Sequence, residues 1–580
     1  MYDIEVFKFD WIISWLDTET KKMHTICNSK SDFEKMYEMY KDKIWVGYNS
    51  RMYDVYIAQG ILAGFDPYEI NDWIINKDRF GWEFSNLLRK FPIINYDCSV
   101  GFRGLKELEA FMGDDIRETS VPFDLDRPLT TKELLEVREY NRHDVWETFR
   151  VFIETKETFE THIALIEEFN LPFTSISRTP QQLSSVILGA SMVERDDEFD
   201  ITFVDTLKLG KYEYIKDHLE HWGKYIQDYD KDKLNLVTNV AGVETVIANG
   251  GIHSAIPNYV GEGYFMLVDV SGYYPALMIE YDFLSRNVTN KAKFKQIRDE
   301  RNELKALGDP REEPRKLLTN ITYGATKYQY SQMYDPLQGN NICFNGQLLL
   351  VDLAEKIENH CQIIQKNTDG ILIKLYDPKD KDKIIEICSE WEKRTRMTLD
   401  YEYYNKVIQK DVNNYIFVEN GGRIHTKGAV VKRLHPLDND LPIINRAVVN
   451  YFAYGTPARD TIYSSDELID FQKITKISRK YDFGFKEDLS CNNTEIFGDT
   501  QYRGNILPEK VFRCFASLDN NDGALYKKHK EKDTLDKTAS TPENCFIDNG
   551  DIKGKSIPSK LDREWYLELA ERRIREFVGN

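Results

Sequence analysis

A chain of 580 residues with 41% hydrophobic, 30% charged and 13% aromatic residues has the balance of a folded protein, and its length predicts about three to five structural units. No run of roughly 18 apolar residues occurs, and the opening MYDIEVFKFD lacks a basic, apolar leader, so the expectation is a cytoplasmic protein with no membrane span. The net charge of −19 excludes a uniformly basic surface but leaves room for local basic stretches (Lys291–Lys305, Lys427–Arg433, Lys527–Lys532), and eight scattered cysteines without a C-x-x-C pair exclude a zinc ribbon or disulfide framework.

The first ~165 residues alternate strand and helix patterns, as in an α/β unit. Asp3 and Glu5, two apart in a strand, project from one face. The strand-like run IWVGYN precedes Asp54 in NSRMYDVYI, and FPIINYD is a further strand-like run. A long amphipathic helix is expected from Thr130, where T-T-K-E places Glu133 three residues after the cap; on it Tyr140 and Asp144, four apart, share a face. Three separate elements thus offer carboxylates, the hard oxygen ligands that a divalent cation pair requires.

A mixed segment ends in the turn-rich ANGGIHSAIPN. From Tyr264 an apolar strand, YFMLVDV, delivers Asp269 just before the SGYYP turn. Two helices follow, broken at LGDPREEP by Pro310 and Pro314. The first offers Arg298, Arg301 and Lys305 at i, i+3 and i+7; the second offers Lys316, Asn320, Tyr323 and Lys327 along one face. If antiparallel, the two stripes make a cationic groove suited to a triphosphate. In QKNTDGILIKL, Asp369 sits between two strand-like runs beside Gly370, a hairpin with an acid at its tip. The strands around CQIIQ, ILIKLYD and NNYIFVE surround a helix rich in Lys and Glu, and the last ~150 residues read as polar loops with short helices, closing on the amphipathic DREWYLELAERRIREF.

In that order these segments resemble the motifs of the family B DNA polymerases. D-x-E, N-x-x-x-Y-D and Y-x-x-x-D resemble its three exonuclease motifs; Asp269 to Pro275, Lys316 to Gly324 and Asn367 to Asp369 resemble its three polymerase motifs. The resemblance implies an RNase H-like 3′→5′ exonuclease domain (1–165), a connecting region (166–263), and a right-hand polymerase with palm (264–285 and 325–430), fingers (286–324) and thumb (431–580). It implies that Asp3, Glu5, Asp54 and Asp144 hold two magnesium ions while Tyr140 orients the attacking water. Asp269, Asp369 and the adjacent Val270 would hold a second pair, with manganese as the alternative ion. Arg301, Lys305, Lys316 and Asn320 would contact a deoxynucleoside triphosphate; Tyr274 would pack under the sugar and reject a ribose 2′-hydroxyl, and Tyr323 would shape the base-pair pocket. Gly250, Gly251, Lys410, Tyr415 and Lys427 would contact primer–template DNA.

Several positions depart from the family's pattern. Ala248 replaces the tyrosine of Y-x-G-G, Gly272 and Tyr273 replace serine and leucine in the sugar-pocket motif, and Asn367 replaces the first aspartate of D-T-D. The intervals from Asp269 to Lys316 (47 positions) and from Gly324 to Asp369 (45 positions) leave no room for the insertions of protein-primed members. The expectation is a compact bacteriophage or mobile-element type of monomeric polymerase, working with replication accessory proteins in a bacterial cytoplasm. An exonuclease with an inactive polymerase region, a non-catalytic primer–template scaffold and a protein-primed replicase are the alternatives.

Overall fold

The computed structural model describes residues 1–225, 235–485, 495–497, 500–502, 505–507, 509–532 and 535–579. The N-terminal unit opens with an antiparallel sheet of β1 (Tyr2–Val6), β2 (Trp11–Asp17) and β3 (Lys22–Cys27). Tyr2, Ile4 and Val6 are buried, so the pleat turns Asp3 and Glu5 to the opposite face. Beside β1 lies a parallel pair, β4 (Trp45–Gly47) and β5 (Asn95–Asp97). The FPIINYD run contracts to β5, because Pro92 has no N–H to give a ladder. The Thr131–Glu154 helix packs across β1 and β2. It starts as expected: the Glu133 N–H donates to Thr130 Oγ1 at 3.3 Å while the Thr130 N–H donates to the Glu133 carboxylate at 2.8 Å.

The centre of the protein is a nine-stranded sheet. In chain order its strands are β6 (Leu236–Val240), β7 (Val243–Ala248), β8 (Gly251–Ala255), β9 (Tyr259–Val270), β10 (Cys361–Asn367), β11 (Gly370–Leu375), β12 (Leu399–Asp411), β13 (Asn414–Val418) and β14 (Ile424–Lys427). All neighbours are antiparallel, in the order β14-β13-β12-β9-β11-β10-β8-β7-β6. The segment read as turn-rich is therefore mostly strand. Ala248 and Gly251–Ala255 join the sheet, and the chain turns at Asn249–Gly250 and again at Pro257–Asn258. The boundary expected at residue 264 falls inside β9. The sheet is strongly curved: Gln409 Nε2, near the end of β12, donates to the Ile256 carbonyl at 2.8 Å and the Ile364 carbonyl at 3.3 Å, tying that end to the β8–β9 corner.

The Pro336–Ile357 helix is buried along almost its whole length between the sheet and the segments around residues 198–210. From Pro336 to Val351 it carries only apolar, glycine and amide residues on every side, so it has no amphipathic period there by which to be recognised. The expected helix pair is present as Lys291–Leu307 and Glu312–Lys327, joined through Gly308 at φ 65°. Pro314 does not delay the second helix. It occupies the first turn, where a missing N–H costs nothing.

The C-terminal region corrects the expectation of loops and short helices. The Pro442–Tyr454, Ala458–Ser464 and Arg563–Val578 helices pack together, but the residues between are largely strand: Lys473–Lys476, Val511–Ala516 and Cys545–Ile547 form one sheet, and Tyr481–Phe485 and Leu525–His529 belong to another. The basic KKHKEK stretch begins inside the Leu525–His529 strand. The seven described cysteines are free thiols, Cys491 lies outside the described residues, and no described helix is long and apolar enough to cross a membrane.

Two candidate active sites

At the first site, Asp3 and Glu5 on β1 converge with Asp144 on the long helix, one carboxylate oxygen of each lying within 4.8 Å of the others. Asp54 opens the Asp54–Ala63 helix after Asn49, which takes the left-handed φ of 55° that asparagine tolerates. Asp54 is buried, and its Oδ1 accepts the Ile4 N–H at 3.0 Å, so one of its oxygens is committed to β1. Tyr140 lies one turn before Asp144, with the Lys106 ammonium 4.7 Å from its ring centroid. All five residues expected at this site are thus in its neighbourhood.

Three further residues complete it. Lys106, on the Leu105–Met112 helix, pairs with Asp144 and lies 3.0 Å from Glu109. Asn141 Nδ2 donates to Asp3 Oδ2 at 2.6 Å. Asn141 could have been found by the same-face rule, since it precedes Asp144 by three; nothing in GLKELEAF announces Lys106 or Glu109. Burial, then the neighbouring Asp54 and Asp144, raise the Asp3 carboxyl well above the usual carboxylate range. Glu5 is raised likewise by burial and by Asp3 and Asp144, and burial pushes Asp54 up to about 7. Burial also raises Asp144, against the opposing charge of Lys106. Converging oxygens that repel one another and hold their protons are what a divalent cation relieves, so the donor set fits such an ion.

At the second site, Asp269 near the end of β9 pairs in register with Gly370 of β11. Asp369 sits exposed in the two-residue turn between β10 and β11, after Thr368 at φ 44°. Val270 has its side chain in the core and reaches the site only by its backbone, donating its N–H to the Asp369 carbonyl at 2.8 Å. A Cβ at position 370 would lie 2.7 Å from Asp269 Oδ1, so a side chain there displaces that carboxylate. Gly370→Ala is expected to lower stability by about 1–3 kcal/mol through overpacking, measurable by denaturant unfolding.

Burial, then Asp369, Glu402 and Asp400, push the Asp269 carboxyl up to about 7, and Lys305 opposes them. Asp369, though open to solvent at the tip of the turn, is raised too by the protein crowded around it, while its own backbone N–H and Lys427 pull it back. Asp400 and Glu402 are additions to the site. Asp400 pairs in register with Asp269, and the D-x-E spacing in LDYEYY carries the same signal as Asp3 and Glu5. The Gly250–Gly251 corner stands beside the Thr368–Asp369 turn, with Gly251 at φ 137° and the Thr368 N–H donating to the Ile252 carbonyl at 3.1 Å. Ala248, where the family has tyrosine, gives its carbonyl to Gln347 at 2.9 Å. Because the sheet curves, Lys427 and its partner Tyr415 come within electrostatic reach of Asp369. Lys410 does not join them; it faces Glu576 of the last helix at 3.7 Å.

The helix pair supplies the cations. Arg301 lies 3.4 Å from Glu312, with its guanidinium beside Gly272, and Lys305 lies 3.7 Å from Asp400. Lys316 pairs with Glu313 at 3.0 Å, and Asn320 is exposed. Arg298 leaves the stripe for Glu280 and Asp299. Tyr274 and Tyr323 come together, ring centroids 4.3 Å apart. Tyr273 is a core residue whose hydroxyl donates to the Gly346 carbonyl at 2.6 Å. Gly272, its neighbour, takes φ 54°, a left-handed turn that suits glycine. Asn367 belongs to the ladder, paired with His253.

No family model matches the sequence, and no curated protein does. Among solved structures, the chain is similar to the family B DNA polymerase of the hyperthermophilic archaeon Pyrobaculum calidifontis, with a TM-score of 0.41 and 12% sequence identity over 100% of this chain and 77% of that one.

Proposed function

We propose that the chain is a DNA polymerase that extends a primer at Asp269 and Asp369 and shortens 3′ ends at Asp3, Glu5, Asp54 and Asp144. The observation that carries this reading is the meeting of Asp269, near the end of β9, with Asp369, 100 positions on in sequence and in the turn that opens the neighbouring β11, with Lys305 of the cationic helix pair reaching Asp400 beside them. In this reading residues 1–165 are the exonuclease unit, 166–263 lead into the palm (264–285 and 325–430), 286–324 are the fingers and 431–580 the thumb. The chain works as a monomer of a compact bacteriophage or mobile-element type in a bacterial cytoplasm, beside replication accessory proteins.

Divalent cations, magnesium or manganese, held by Asp269, Asp369 and the Val270 backbone, and by the N-terminal carboxylates, would activate the attacking oxygen and neutralise charge on the phosphate. The chain's own residues do the rest. Arg301, Lys305 and Lys316 exchange their present partners for the triphosphate and, with the exposed Asn320, hold it for in-line attack by the primer 3′-hydroxyl, with pyrophosphate leaving. Tyr274, braced by Tyr323, lies where a ribose 2′-hydroxyl would collide. Lys427, Tyr415 and the Gly250–Gly251 corner face the template and primer, and Lys410 joins them by exchanging Glu576 for a phosphate. At the N-terminal site Tyr140 orients the water that hydrolyses a frayed end, which is cheap to accept once unpaired.

A second reading, exonuclease alone, has one observation in its favour: among the described residues, three metal-ligating groups converge only in the N-terminal unit. A labelled primer on a longer template, with magnesium and with or without the four deoxynucleotides, separates the two. Extension opposite template bases is the expected result. Shortening without extension, in magnesium and in manganese, leaves only the exonuclease.

A further inference from the structure

The Leu105–Met112 helix, which brings Lys106 and Glu109 to Asp144, is gripped from behind by a residue 403 positions beyond its Ala110. Arg513, fully buried on the Val511–Ala516 strand, donates through Nη2 to the carbonyls of Asp114 (2.8 Å), Ala110 (3.0 Å) and Glu109 (3.5 Å). Through Nη1 it donates to the carbonyls of Gly550 (2.7 Å) and Asp548 (3.2 Å), and through Nε to Gln472 Oε1 (3.1 Å). Its donors are thus shared between the end of the N-terminal helix and the C-terminal region. A cation matched in this way to the open carbonyls of a helix end is stable in spite of its burial.

The contact around it is dense. Gln472 Nε2 donates to the Phe111 carbonyl at 3.0 Å, and the Ile552 N–H to the Gly113 carbonyl at 2.9 Å. The Ile116 N–H donates to the Asn549 carbonyl at 2.7 Å, and Lys553 reaches Asp114 at 2.5 Å. Gly113 takes φ 79°, and a Cβ there would meet Ile469 at 2.7 Å. The helix end therefore has one seat, and the C-terminal region supplies it.

We infer that Arg513 is a positioning residue for the N-terminal carboxylate site: by fixing the end of the Leu105–Met112 helix it sets where Lys106 and Glu109 meet Asp144. The inference rests on reading Asp3, Glu5 and Asp144 as a hydrolytic cluster. It also means that this cluster, assembled from the first 165 residues, depends on the last 80 for its geometry.

The test compares the full chain with Arg513→Met, which keeps bulk without donors, and with Arg513→Lys, which keeps the charge. Shortening of a labelled single-stranded oligonucleotide and templated extension are measured side by side, with hydrogen exchange of amides 105–114. For Arg513→Met, kcat for shortening is expected to fall roughly 10- to 100-fold with KM within about twofold, as displacement near a reacting centre does. Extension stays within about twofold, protection of 105–114 is lost selectively, and Arg513→Lys recovers part of both. Shortening within twofold of the parent overturns the inference, as does an equal fall in shortening and extension, which marks a general loss of folding. If the parent shortens nothing, the hydrolytic reading fails on its own account. Unchanged protection of 105–114 in Arg513→Met then overturns the clamp separately.

Discussion

Asp369→Ala will reduce templated extension by about 10³-fold or more while leaving 3′ shortening within about twofold, because the two carboxylate clusters share no residue. The variant should fold, since the side chain is exposed at a turn and its backbone bonds to β8 and β9 persist. The same site sets a pH dependence. The Asp269 carboxyl, raised to about 7 by burial and by Asp369, holds a proton that the unfolded chain gives up near the ordinary carboxylate value. Its contribution to stability in the metal-free protein therefore falls as pH rises from about 4 to about 7. Cation binding has the opposite sense. Below about pH 7 an incoming ion must displace that proton, so manganese affinity at this site should fall up to about tenfold for each pH unit. Titrating manganese between pH 5.5 and 8 into protein lacking the N-terminal carboxylates reads this directly, and an affinity flat across the range would contradict the assignment of Asp269 as a ligand.

What could be read in advance follows the range of the interactions concerned. The capping box at Thr130, the same-face pairs Asp3–Glu5 and Tyr140–Asp144, and the hairpin carrying Asp369 are set by neighbours a few residues apart, so periodicity alone found them. Asp400 and Glu402 had the same local signal, but in an exposed charged segment it does not stand out until β12 is laid beside Asp269. Lys427 and Tyr415 depend on the curvature of a nine-stranded sheet, and Lys410 turns to Glu576 because the last helix packs against β12. The Pro336–Ile357 helix was illegible because burial on every side erases amphipathicity. The C-terminal strands are short and broken by polar turns, which hides alternation. Lys106 and Arg513 belong to contacts between parts of the chain that only the finished fold brings together.

Asp3→Asn combined with Glu5→Gln will cut 3′ shortening by about 10³-fold or more and, in the metal-free protein, raise stability. The second effect follows from the first site's design. Asp3, Glu5, Asp54 and Asp144 stand close enough to hold one another's protons, and burial adds to the shift. A carboxyl whose pKa rises on folding withdraws stability as pH climbs from its unfolded value towards its folded one, so near neutral pH both side chains weigh against the fold. Two groups held well above their ordinary range therefore make the variant the more stable protein in chelator. Amides keep the hydrogen bond from Asn141 while discarding the charge. Added magnesium should then stabilise the parent more than the variant, because only the parent gains binding energy from the ion, and the gap between them should narrow or reverse. Differential scanning calorimetry in chelator and in magnesium gives the four transitions needed. A variant less stable than the parent in chelator would mean that Asp3 and Glu5 serve the fold rather than a cation; a gap untouched by magnesium would mean that no ion binds there, and the hydrolytic reading of the N-terminal unit would fall with it.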